Sequence, residues 1–281
     1  MARLEDVDVA YLNYCIRTYW QLTDVIAATK NRLQSLPGEH PVKFDNILRR
    51  EGVDNDDSLK KNDGLSTIKG RLVRMLEQEL KKFNIWTKWL KNVPAIGPVI
   101  AAELIMLYYY KYIPVCKDCM TALEKKDGSY WCSNCEKSVK GEGNLDYLLE
   151  DKDFANISKW WAYMGRDIQD GLMRKRKKGE ILNWSPKGRR LGFLIGESFN
   201  KQQPDHLYKK VLLDEKAKYE KSQPDISKGW RHNKAKNNAI KLFLAHFWTV
   251  ARTLDEKPVT EPYSMVIMGH TGYIKPFYFE G

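Results

Sequence analysis

Cys116, Cys119, Cys132 and Cys135 are spaced C-x2-C-x12-C-x2-C. Two residues between cysteines let a tight turn aim both thiolates at one cation, and a second pair completes a tetrahedral set. Four thiolates fill the coordination sphere of zinc and leave no position for a reactive water. The spacing therefore predicts a structural zinc rather than a catalytic one. Asp127-Gly128, midway between the pairs, is a two-residue hairpin signal. The segment reads as a zinc ribbon, two short strands with a cysteine pair at each end, whose minimal role is to fold itself around the metal.

Two other segments point toward phosphate. Val93-Pro94-Ala95-Ile96-Gly97-Pro98 ends one helix, turns sharply and opens another, with Pro98 suited to a first turn. Ala101 and Ala102 allow that helix to pack closely on its predecessor. This is the pattern of a helix-hairpin-helix, in which turn amides and the positive helix end hold a phosphate. Gly97, Val99 and Ile100 are the candidates, and an ordinary helix–helix corner is the alternative. Residues 174–190 form a second candidate. Eight of these 17 positions are Lys or Arg (Arg174, Lys175, Arg176, Lys177, Lys178, Lys187, Arg189, Arg190) against one acid. Charges this dense repel one another unless a polyanion neutralises them. A solvated loop is the alternative there.

The elements that must position these groups are mostly helical. Leu12, Cys15, Tyr19, Leu22, Ile26, Thr29, Leu33 and Leu36 recur at spacings of three and four, and Pro37-Gly38 ends the helix they imply. Residues 37–64 are polar and loop-like. Ile68, Leu72, Leu76, Leu80, Phe83, Trp86 and Leu90 predict a second helix over 65–91. The two seams pair either as a hairpin in one chain or between chains as a homodimer through the N-terminal helices. Aromatic residues over 154–163 read as core. Further helices are expected over about 189–200, 208–221 and 233–254, with His246 as a satisfied core histidine. The expected fold is mostly α: a long-helix, coiled-coil hairpin over 1–91, a helical domain over 92–110 and 153–254, a small β zinc ribbon inserted at 111–152, and an arm over 255–281.

The chain has 281 residues, 43% of them hydrophobic, enough for a sizeable core. No apolar run approaches the roughly 18–20 residues of a membrane span. The N-terminus lacks a signal-peptide core, and Cys15 remains unpaired beside the four ligand cysteines. These features lead us to expect a soluble, cytoplasmic, nucleoid-associated protein. The 47 Lys and Arg outnumber 36 Asp and Glu for a net charge of +11, a balance that favours polyanion partners.

Four blocks, in this order, resemble the C-terminal domain of the pilin-inversion family, the bridge-RNA-guided insertion-sequence transposases that pair a RuvC-like DEDD domain with a catalytic serine. They are Val93–Pro98 leading into Ala101-Ala102, Trp161-Ala162-Tyr163-Met164-Gly165, Trp184 through Leu191, and His232–Ala235 with Lys241–Trp248. The resemblance implies a DNA-handling helical domain. The departures bear on chemistry. Residues 1–91 read as helices rather than a RuvC-like domain. The family's Ser-Gly nucleophile step corresponds to Asp170-Gly171, and Ser185 matches a different position with no activating base beside it. Ala95 stands where the family hairpin has a glycine.

The function expected from the sequence is duplex DNA binding through backbone phosphates, in a relative of insertion-sequence transposases without cleavage activity and with no catalytic residue. The alternatives are a recombinase subunit that needs a partner nuclease domain, and an RNA-binding zinc-ribbon protein that takes structured RNA.

Overall fold

The structure, a computed structural model, describes residues 9–35, 65–126, 129–139, 145–169, 172–173, 175, 184–260 and 274–280. It is mostly helical with small β elements, as the sequence predicts. The chain divides into two compact units, Met1–Glu103 with Asn156–Gly281, and Leu104–Ala155.

In the first unit, α1 (Val9–Ser35) and α2 (Leu65–Leu80) pack together. The Lys69 ammonium lies 4.4 Å from the Tyr19 ring centroid. Leu12, Cys15 and Ile16 of α1 and Leu72, Leu76 and Leu80 of α2 are buried. Tyr19, Leu22 and Ile26 are only half-buried, so the seam is driest toward the start of α1. Leu36 and residues 37–64, expected to be loop-like, lie outside the described residues, and nothing is described of the Leu33 side chain.

The single helix expected over 65–91 is interrupted. After Leu80, the amides of Lys81, Lys82 and Phe83 each donate to a carbonyl three residues back, which tightens and ends α2. A short α3 (Asn84–Lys88) and a 3-10 turn (Leu90–Asn92) follow. Phe83, Ile85, Trp86, Trp89 and Leu90 are all buried. One straight helix presents a single stripe, so residues this closely spaced are buried together only by re-coiling the chain.

α4 (Pro98–Tyr109) follows the hairpin turn. α5 (Ile157–Tyr163) is capped by Asn156, whose side chain accepts the Lys159 amide at 2.9 Å. α6 (Pro186–Asn200), α7 (Leu207–Ser222) and α8 (Lys228–Leu254) complete the unit. α6 and α8 start earlier than hydrophobic periodicity predicts because Ser185 and Ser227 cap them at the Gly188 and Trp230 amides. α8 is the central strut and packs against α3, α5, α6 and α7. Its Phe243 stacks on Trp89 and its Phe247 on Trp160. Phe199 of α6 stacks on Tyr208 of α7 at 4.7 Å between ring centroids.

Residues 274–280 dock on this aromatic core. The Trp89 indole donates to the Phe277 carbonyl at 2.6 Å. His246 lies between Tyr208 Oη (2.8 Å from Nδ1) and the Ile274 carbonyl (3.0 Å from Nε2). The carbonyl can only accept, so Nε2 carries the proton and Nδ1 receives the Tyr208 hydroxyl. His246 is thus the satisfied core histidine, and burial pushes its pKa down to about 4.

In the second unit, β1 (Tyr110–Cys116) pairs antiparallel with β5 (Leu145–Asp151), from Tyr110 opposite Asp151 to Cys116 opposite Leu145. Between them β2 (Glu124–Lys126), β3 (Ser129–Cys132) and β4 (Lys137–Val139) form a meander. The expected two-stranded ribbon is therefore three-stranded and sits on a two-stranded stalk. The register puts Lys126 opposite Ser129, so the Asp127-Gly128 signal falls between paired strands, although those two residues lie outside the described set. A further two-stranded pair, β6 (Ile168–Gln169) with β7 (Leu172–Met173), belongs to the first unit.

Candidate metal centre and nucleic-acid interface

The ribbon brings all four predicted cysteines together, with every Sγ within 4.8 Å of the others. Cys116 and Cys135 are 3.8 Å apart and Cys119 and Cys132 are 3.5 Å apart. A tetrahedron with metal–sulfur bonds of about 2.3 Å has edges of about 3.8 Å. The sulfurs therefore already stand at ligand spacing, and none is in a disulfide.

Each pair is a knuckle of the same design. The residue after the second cysteine has positive φ, Met120 at 56° and Glu136 at 49°. In that left-handed conformation the chain folds back over the sulfurs: the Met120 amide donates to the Cys116 carbonyl at 2.8 Å, and the Cys135 amide to Cys132 Sγ at 3.4 Å. Neither residue is glycine, so both knuckles hold a strained backbone. The Cys119 thiol is held below its usual range, foremost by its side-chain hydrogen bond with Thr121. Cys135 is pushed up, foremost by its hydrogen bond with Cys119. Cys116, Cys132 and Leu123 form the buried centre of the ribbon, with Tyr130 and Val139 against them. So small a centre needs a cross-link, and the cysteine set can supply it by holding a metal ion.

In the first unit, a 3-10 turn (Leu90–Asn92) rather than a long helix leads into the turn before α4. Gly97 is the residue before α4, and its carbonyl accepts the Ala101 amide at 3.0 Å. The Val99 and Ile100 amides belong to the first turn, where no intrahelical carbonyl is available. Gly97 is exposed, with open space where a Cβ would stand. The positive φ in this turn belongs to Ala95 at 74°, the position where the resembled hairpin has glycine. His206 supports the turn from behind, its Nε2 donating to the Pro94 carbonyl at 3.2 Å while Nδ1 accepts the Lys209 amide and caps α7.

The basic stretch splits into distinct roles. Lys175 and Lys187 are exposed and make no ion pair among the described residues. The Arg189 guanidinium lies 4.8 Å from the Trp184 ring centroid. Arg190 is engaged: it pairs with Glu103 at 2.8 Å and stacks on Trp20 at 4.2 Å. Arg174, Arg176, Lys177 and Lys178 lie outside the described residues, as do Asp170 and Gly171.

Three features escaped the sequence reading. Glu103 is buried in an otherwise apolar helix and is satisfied by Arg190 and by the Trp20 indole at 3.0 Å. A lone acid among Ala and Leu was its signal. Gly188, Gly192 and Gly196 form a stripe on α6 at intervals of four. A Cβ would meet Met164 Sδ at Gly188, the Arg166 guanidinium at Gly192 and Ile240 at Gly196, all at 2.7 Å or less. Arg166 is the third. It is buried over Gly192 and donates to the Arg189 carbonyl and to Asn237, with its pKa lowered to about 10, foremost by burial. Arg166 thereby fixes the helix turn that displays Arg189. Ser185 Oγ accepts the Gly188 amide at 3.0 Å and serves as a helix cap. Among the described residues no helix is long and apolar enough to cross a membrane.

No family model, curated protein or solved structure matches the chain.

Proposed function

We propose that this protein binds nucleic acid, duplex DNA first, through backbone phosphates, and that its four cysteines hold a structural zinc. Lys175, Lys187 and Arg189 make the phosphate contacts together with Arg174, Arg176, Lys177 and Lys178, and the Val99 and Ile100 amides take a further phosphate. The observation that carries the reading is the pair Lys175 and Lys187. Both are exposed and make no ion pair among the described residues, in a stretch with eight cations and one acid. Cations crowded in this way are stable beside a polyanion. Arg190 stands apart, because its guanidinium is committed to Glu103. Such contacts position a protein without reading bases, so sequence selectivity is low. The use of Ser185 as a cap supports binding rather than strand cleavage, and the order of the four sequence blocks supports kinship with insertion-sequence transposases.

The test is fluorescence anisotropy with a labelled duplex and with a structured RNA as competitor. Lys175→Ala and Lys187→Ala each weaken duplex binding about equally across unrelated sequences. Unchanged affinity in both variants overturns the reading, and preferential capture by the RNA replaces duplex DNA with RNA.

A further inference from the structure

β5 has one free edge, and its register fixes which backbone groups line it. β1 and β5 run antiparallel with Tyr110 opposite Asp151, and one step further the Lys152 amide donates to the Tyr109 carbonyl at 2.7 Å. Bonded and unbonded pairs alternate along an antiparallel ladder. Asp146, Leu148 and Glu150 therefore turn their amides and carbonyls toward β1, whereas Tyr147, Leu149 and Asp151 turn theirs outward. The same alternation holds on β1. Pro114, which has no amide to give, falls at an unbonded position; its outward carbonyl accepts the Leu123 amide at 2.9 Å, and the outward Cys116 amide donates to the Thr121 carbonyl at 2.9 Å. The outer edge of β1 is thus partly covered by the ribbon it leads into. On β5, β1 is the one strand partner, and the backbone groups of Tyr147, Leu149 and Asp151 meet no partner among the described residues.

An open edge is a template for another strand, and proteins commonly blunt one with lysine, proline or a bulge. β5 runs for seven residues with none of these. Its charges are acidic instead: Asp146, Glu150 and Asp151 are exposed, and the strand holds no cation. Asp146 makes no ion pair among the described residues, and Glu150 makes a loose one, 3.9 Å from Lys111, with both side chains more than half exposed. Alternate residues share a face, so Leu148, 44% exposed, stands between the Asp146 and Glu150 carboxylates. These charges select the occupant. A second copy paired antiparallel about Leu148 would set Asp146 against Glu150 twice, and like charges directly opposite are destabilising. The second unit as a whole holds seven lysines and no arginine against nine Asp and Glu, in a chain of net charge +11. That balance disfavours a polyanion and favours a basic partner.

We propose that β5 takes up an extended basic segment of a partner protein as an added strand. The segment bonds to the outward groups of Tyr147, Leu149 and Asp151. It carries Lys or Arg at two positions four residues apart, facing Asp146 and Glu150, with an aliphatic residue midway on Leu148. Strand addition of this kind draws affinity from the main chain and specificity from alternate side chains. None of the residues assigned to phosphate takes part, so duplex binding and segment binding stand or fall separately.

The test uses the full chain, labelled with nitrogen-15, and a blocked peptide Thr-Lys-Thr-Ile-Thr-Lys-Thr, with Thr-Glu-Thr-Ile-Thr-Glu-Thr as its control. Amide hydrogen exchange is read residue by residue. With millimolar lysine peptide the Tyr147 and Leu149 amides slow about tenfold, while those of Leu148 and Glu150, already bonded to β1, stay slow and report an intact stalk. The glutamate peptide protects neither outward amide. Leu149→Pro removes one outward donor where an edge strand tolerates proline, and weakens binding of the lysine peptide about tenfold. Asp146→Lys combined with Glu150→Lys, both at exposed positions, reverses the preference between the two peptides. Tyr147 and Leu149 amides that exchange equally fast with and without the lysine peptide overturn the proposal, as does equal protection by the glutamate peptide. Full affinity in Leu149→Pro, with Leu148 and Glu150 still protected, also overturns it, because charge alone then holds the peptide.

Discussion

His246 makes the docked tail sensitive to acid. Both ring nitrogens are engaged, Nε2 donating to Ile274 and Nδ1 accepting from Tyr208, and this arrangement requires the neutral ring. The folded pKa is about 4, against about 6.5 for an exposed histidine. The unfolded chain therefore binds the proton more readily, and stability rises with pH between these two values. The contribution is fully present above about pH 6.5 and is lost as pH falls toward 4. A separation of about 2.5 units corresponds to about 3 kcal/mol, of which about 2 kcal/mol is lost by pH 5. His206 and His232 are also lowered and act in the same direction, so the wild-type profile alone does not isolate His246. His246→Gln does, because an amide can donate to Ile274 and accept from Tyr208 without titrating. Urea unfolding followed by tryptophan fluorescence at pH 7.5 and pH 5 gives the comparison. The gap between wild type and variant should shrink by about 2 kcal/mol on acidification. A gap that stays constant across that range refutes the argument.

Four other outcomes follow from the structure. Ala95→Gly relieves the positive φ and raises stability by about 0.5–1 kcal/mol in chemical denaturation, whereas Gly97→Ala meets open space, keeps the fold and weakens duplex binding if a phosphate approaches there. Gly196→Ala drives a methyl to 2.6 Å from Ile240 and lowers stability by about 1–3 kcal/mol, seen as a lower Tm. Arg190→Ala uncovers the buried Glu103 carboxylate and lowers Tm by several degrees, while Lys187→Ala leaves it unchanged. Elemental analysis finds one zinc per chain, and a chelator abolishes amide protection in β2–β4 while that of α8 persists.

How much was legible from residues alone depended on how local the signal was. The cysteine cluster was legible because C-x2-C encodes its own turn, and the strained residues Met120 and Glu136 only complete what the spacing requires. The mostly helical architecture followed from stripes of three and four. The break after Leu80 was hidden, because Phe83, Trp86 and Leu90 continue the stripe; the burial of Ile85 and Trp89 between them is a tertiary effect. The β1–β5 stalk pairs strands whose partners are about 30–40 residues apart, beyond any local pattern. The α6 glycines sit inside Lys187–Gly188–Arg189–Arg190 and beyond, where the charge drew attention and the close approach of Arg166 did not. Ala95 was legible in a different way, since the position calls for positive φ whichever residue fills it.

The central claim is that cations and hairpin amides of the helical unit meet a phosphate backbone, and the salt dependence of duplex binding tests it most directly. With about four to six phosphates neutralised, the logarithm of the binding constant falls linearly with the logarithm of salt at a slope of about −4 to −5. Removing the ammonium of Lys187 makes that slope shallower by about one. Binding that ignores salt, or a slope unchanged in the Lys187→Ala variant, contradicts it.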